Sequence, residues 1–227
     1  MSESETSITG QQKIRTEPIL AMAALASGAA LVISIIFGAP LGLMLALLLI
    51  AAVVTVAFKW AKTDRNQRPM LRAQMATGAV AGVVATIAYD LTRALLTELG
   101  QLQFYPFETF NIFGQLIIGE TAPRLVAFVV GTLYHLLNGV AFAVSYCFLL
   151  GGRHWTNGIL WAFGLEAAML TIYPGWLELE AVMQEFVTVS VLGHIAYGVV
   201  LGLISERKLS NIKRDQLEAE RTGRNKK

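Results

Sequence analysis

Residues 41–59 read LGLMLALLLIAAVVTVAFK, with no charged side chain before Lys59. Such a run crosses a bilayer as one helix, because a rise of 1.5 Å per residue carries about 20 residues through roughly 30 Å of hydrocarbon. The run before it, from Pro18 to Phe37, turns at Gly38-Ala39-Pro40 straight into it, so the two read as a retained hairpin rather than a cleaved signal. Four further stretches, 74–97, 123–150, 157–173 and 184–205, are mostly apolar without strict alternation, a pattern that suits helices and not barrel strands. The expected fold is all-α: a polytopic membrane protein of about six transmembrane helices. Composition agrees, since 55% hydrophobic and 15% charged residues lie outside the balance of a soluble domain.

Charge orients these spans. Sixteen of the 18 Lys and Arg residues fall on one side, in the leader (Lys13, Arg15), around residues 59–72, at Arg153 and in the tail. Lys and Arg stay preferentially in the cytoplasm, which predicts cytoplasmic N- and C-termini. The other side carries Glu98, Glu108, Glu120, Glu178, Glu180 and Glu185. The expected organisation is a leader (1–17), an N-terminal hairpin (18–59), a basic cytoplasmic loop (60–73), a four-helix membrane domain (74–205) and a charged cytoplasmic tail (206–227). Within the longer outer loop, GQLQFYPFETFNIFGQLIIGE (100–120), the spacing of Phe110, Phe113 and Ile117 predicts a short helix lying on the membrane or re-entering it. The net charge of +2 gives no footprint for nucleic acid. A lone Cys147 permits no intrachain disulfide and reads as a reduced packing residue.

An internal repeat organises the last four spans. His135-Leu-Leu-Asn138-Gly139-Val140 and His194-Ile-Ala-Tyr197-Gly198-Val199 both read H-x-x-x-G-V. Gly82 precedes Asp90 by the same interval as Gly158 precedes Glu166, and a Tyr-Pro pair follows each acid at 105–106 and 173–174. Four matches in one order suggest a duplicated helical hairpin, its copies related by a pseudo-two-fold axis along the membrane normal. In each repeat helix the ionisable residue rides on a stripe of small residues spaced by four, such as Gly78, Gly82, Thr86 and Asp90, or Ser190, His194, Gly198 and Gly202. Membrane helices approach closely along such stripes, so these side chains should face the bundle. Counted inward from the outer helix ends, Asp90 and Glu166 lie at roughly 12 Å, His194 at roughly 15 Å and His135 at roughly 18 Å.

Ionisable groups at that depth require partners. The expected polar cluster is Asp90, Arg93, His135, Asn138, Glu166 and His194, with Arg93 pairing with Asp90 one turn away. Three readings follow. Permeation of a small solute, ion or proton would use Glu166 with His194 or His135, since histidine titrates near neutral pH. A membrane scaffold, as a homo-oligomer or with another membrane protein, would need the cluster only for packing. A haem or divalent metal would take His135, His194 and Glu166 as ligands, although no HExxH or CxxC accompanies them and no cofactor is expected. No nucleophile elbow, P-loop or dinucleotide fingerprint points to an enzyme.

The segments YHLLNGVAFAVSYC, HWTNGILWAFG and VLGHIAYGVVLGLISER together resemble the YagU-like group of small bacterial inner-membrane proteins. The likeness covers the C-terminal hundred residues and not the N-terminal hairpin. It implies a bacterial inner membrane and the same topology, with no established site residues to carry over.

Overall fold

The computed structural model describes residues 16–177 and 180–224, so most of the leader, Glu178, Leu179 and the last three residues lie outside it. The described residues form helices and no strand: α1 (Thr16–Ala24), α2 (Ala26–Phe37), α3 (Leu41–Lys62), α4 (Arg68–Gly100), α5 (Glu108–Ile118), α6 (Arg124–Leu149), α7 (Thr156–Trp176) and α8 (Met183–Arg224), the last entered through a 3-10 turn at Glu180–Val182. Four helical stretches are long and apolar enough to cross a bilayer: α3, α4, α6 and Glu180–Ile212. The pair α1 and α2 makes a fifth if it counts as one span. At 21 residues α7 is long enough, but Asn157, Glu166 and Tyr173 dilute its apolar character.

Small residues set the helix spacing. A Cβ on Gly82 would lie 2.6 Å from Val140 Cα, and one on Gly139 would lie 1.9 Å from Thr86 Oγ1, so α4 and α6 touch almost backbone to backbone. The same device joins α7 to α8, where a Cβ on Gly158 would meet the Gly198 carbonyl at 2.2 Å and one on Gly202 the Trp155 carbonyl at 2.0 Å. The broadest seam is α4 against α8, with Tyr89 lying over Gly193. The fourth side, α6 against α7, has no comparable seam, although the rings of Tyr146 and Trp161 approach to 6.1 Å.

Several boundaries differ from the sequence expectation. The first run is not one straight helix: α1 and α2 meet at a bend of 51°. The break falls at Leu25, and in the first turn of α2 just beyond it the Ser27 carbonyl accepts the Tyr134 hydroxyl at 2.8 Å while Gly28 admits the ring of Phe142. The expected loop 60–73 is mostly helix, because α3 continues to Lys62 and α4 starts at Arg68 with Pro69 in its first turn. Arg68 and Arg72 stack on Trp60 at 5.7 and 5.2 Å, folding the basic groups back onto the turn.

The loop 100–120 contains the short helix, α5, but its apolar face turns inward. Phe110 and Phe113 are buried, and α5 runs antiparallel to α6 with Gly114 against Ala127 and Phe110 against Gly131. This segment re-enters the bundle. The tail, whose charge pattern suits a solvated helix, is helical as a continuation of α8, but Leu209 is fully buried beside Cys147 and Gly151. Glu206 accepts the Trp155 amide at 2.8 Å, placing a carboxylate at the start of α7 where the helix dipole favours it.

Candidate functional site

The bundle holds two acid–histidine pairs. In the first, His135 Nε2 from α6 lies 3.2 Å from the Asp90 carboxylate of α4. Arg93, one turn along, reaches Asp90 Oδ1 at 3.4 Å, a long contact, and donates a better bond to the Pro106 carbonyl at 2.8 Å. Its guanidinium lies 4.7 Å over the ring of Tyr89, so three groups share the charge. The sequence offered Glu166 as a partner for His135, which pairs with Asp90 instead. The stripe geometry explains this, since the Gly82–Gly139 approach brings α4 and α6 together two turns away.

In the second pair His194 Nδ1 lies 2.6 Å from Glu166 Oε2 and 3.0 Å from the Ser190 carbonyl, and the Ser190 hydroxyl donates to the same carboxylate oxygen at 2.8 Å. Both neighbours of Nδ1 are acceptors. The hydrogen-bond pattern therefore assigns the proton of neutral His194 to Nδ1 and leaves Nε2 with its lone pair. Glu166 is 3% exposed, enclosed behind the imidazole rather than in front of it.

Tyr89 links the pairs, its ring centroid 5.8 Å from that of His135 and 4.9 Å from that of His194. All of this borders a cavity of about 380 Å³ between α2, α4, α6, α7 and α8. Arg93, His135, Asn138, Ser190 and His194 are on its wall, while Asp90 and Glu166 stand behind their histidines. The cavity occupies the place where a seam between α6 and α7 would otherwise close the bundle, and α2 covers its flank. A carboxylate behind a cavity-facing imidazole fixes ring orientation and can pass a proton, the arrangement that relays use.

The six expected residues thus divide as Asp90–Arg93–His135 and Glu166–His194, with Asn138 on the wall and its Oδ1 buried without a hydrogen-bond partner. His135, His194 and Glu166 do not form one ligand set: among the described residues no three His, Cys, Asp or Glu side chains converge as a metal site would require. Each histidine also gives one ring nitrogen to a carboxylate. Sequence reasoning passed over Tyr89 and the contribution of α2. Tyr89 carried a signal, being the ring beside Asp90 in an otherwise aliphatic stretch of α4; α2 approaches α6 just beyond the break at Leu25, which hydropathy does not mark.

An all-helical bundle with four helices apolar enough for a bilayer and two carboxylate-bound histidines inside it defines a protein of membrane-compatible class. The chain belongs to the DUF6789 family, a family of unknown function, whose model matches residues 72–215. That segment runs from the start of α4 into α8, containing both acid–histidine pairs and excluding α1 to α3. No curated protein and no solved structure matches the chain.

Proposed function

We propose that this protein crosses a bacterial inner membrane six times, with both termini cytoplasmic, and that its two acid–histidine pairs move protons to and from a small solute held in the central cavity. The observation that carries this reading is His194, on the cavity wall with its Nδ1 held by Glu166 and Ser190. The six spans are the four apolar helices, the bent α1–α2 pair and α7. The last four spans form a duplicated hairpin: Gly82 meets Gly139 as Gly158 meets Gly198, and Asp90 meets His135 as Glu166 meets His194. In the order α6–α4–α8–α7, a pseudo-two-fold axis exchanges opposite corners of the bundle, and the cavity marks the side where the symmetry is broken. Kinship with the YagU-like group, carried by residues inside the matched segment, accords with this placement.

Reconstituted into liposomes with a trapped pH dye, the unmutated protein is expected to dissipate an imposed proton gradient, and Glu166→Gln to lose that flux while retaining its melting temperature. A wild type no leakier than empty vesicles overturns the reading. The orientation has its own test in single cysteines placed in a Cys147→Ala background. A cysteine at Arg65 should resist an impermeant thiol reagent added to intact cells and one at Glu120 should react; the reverse pattern would place the termini outside.

The scaffold reading keeps one specific support. Along α3 the residues Leu43, Leu47, Ile50, Val54 and Phe58 are exposed on one stripe, a face that lipid or a second copy would cover. Under that reading the polar substitutions lower thermal stability and the wild type carries no flux.

A further inference from the structure

We infer that the cavity takes a lipid-soluble molecule whose headgroup is a flat, uncharged ring bearing a hydroxyl, of the phenol or quinol class, entering sideways from the bilayer between α2 and α7. The inference rests on the membrane placement proposed above but not on proton flux. Four observations converge on it. The first is the mouth: Ala29 on α2 and Ala168 on α7 both line the cavity and are exposed, so the opening lies on the bundle's flank among apolar residues rather than at a polar end. A solute arriving there comes from hydrocarbon.

The second is the absence of an available charge. Among the described residues Arg93 is the one Lys or Arg on the wall; its terminal nitrogens serve Asp90 and the Pro106 carbonyl, and its Nε is buried out of reach of the cavity. A carboxylate or phosphate headgroup would enter a site whose cation is committed, and a buried charge without a partner is strongly disfavoured. The third is the wall itself, where Tyr89, Phe113, Phe142, Tyr173, Phe186 and Tyr197 present aromatic rings, surfaces that favour a flat π-bearing headgroup.

The fourth sets the polarity of the hydrogen bond. With the proton on Nδ1, His194, on the cavity wall, meets the cavity as an acceptor through Nε2. That lone pair calls for a ligand that supplies a hydroxyl. A cavity of about 380 Å³ lies within the range that holds a ring and the first carbons of its chain, with the remainder of the chain left in the lipid.

The test uses full-length protein in nanodiscs and para-decylphenol as probe, with its methyl ether and decanoate as comparators, read by calorimetry. The phenol should bind saturably at one per chain, and the ether, with the same ring and chain but a methyl in place of the donor hydrogen, about ten-fold or more weakly, as expected for the loss of one well-placed hydrogen bond. Ala168→Trp, at the mouth, should weaken the phenol by a similar factor, while Leu160→Trp, on an exposed part of α7 away from the cavity, should not. Equal binding of phenol and ether, preference for decanoate, or phenol binding indifferent to Ala168→Trp overturns the inference. Binding without proton flux would leave it standing and remove the relay; flux without phenol binding would do the opposite.

Discussion

Gly131→Val is expected to leave no folded protein in detergent, and Gly131→Ala to cost about 3 kcal/mol or more, the upper end of what overpacking a tight site produces. A Cβ at Gly131 would sit 1.7 Å from the Phe110 carbonyl oxygen, and across the same contact a Cβ at Gly114 would sit 1.8 Å from that of Ala127. The obstructing atoms are backbone in both directions, so no side-chain rotation relieves them. Parting α5 from α6 also withdraws Phe110 from His135, which it contacts at 4.8 Å, and loosens the Pro106 carbonyl that holds Arg93. Gly164 is the control, because a Cβ there meets nothing within 4 Å. Gly164→Ala should be neutral or gain up to about 1 kcal/mol from helix propensity. Cys147, free and fully buried, reports unfolding through its reactivity with a fluorogenic maleimide during a thermal ramp. A Gly131→Val protein melting with the wild type would refute the contact between α5 and α6.

Arg93→Leu is expected to destabilise by about 3 kcal/mol, the lower part of the range for stranding one member of a buried ion pair. The arginine side chain is 7% exposed and Asp90 26%, so removing the cation leaves a carboxylate that water only partly relieves. His135, still 3.2 Å away, moderates the loss and places it near the low end. Lysine should recover little, since it cannot reach Asp90 and the Pro106 carbonyl together while lying flat over Tyr89. The decisive variant is the double substitution Arg93→Leu with Asp90→Asn. If the stranded carboxylate is what costs, neutralising it restores most of the stability; a double variant as unstable as the single one would show that packing of the arginine on Tyr89 and Phe107 dominates. The same thermal ramp measures all three.

Both expectations concern features of unequal legibility in the chain. The stripe Gly78, Gly82, Thr86, Asp90 predicted that α4 would present its acid to a neighbour, and the structure places that acid on His135 across the Gly82–Gly139 approach. Glu166 with His194 follows the same logic. Helical periodicity makes this readable, since residues four apart share a face whatever lies opposite. The run 18–37 read as one span because hydropathy averages over the break at Leu25, beyond which Ser27 and Gly28 meet Tyr134 and Phe142 of distant α6.

Hydrophobic runs, glycine stripes and charge bias by themselves determined the helices, the faces that pack and the residues that need polar partners, because each is a local or periodic property of the chain. Tertiary structure alone decided which partner each polar residue takes, that α5 turns into the bundle, and that α6 and α7 stand apart with α2 beside the gap. The physical reason is that a cavity belongs to no segment. It is the space left when the α4–α8 seam closes fully and its counterpart does not, and no stretch of sequence carries the mark of a neighbour that fails to arrive.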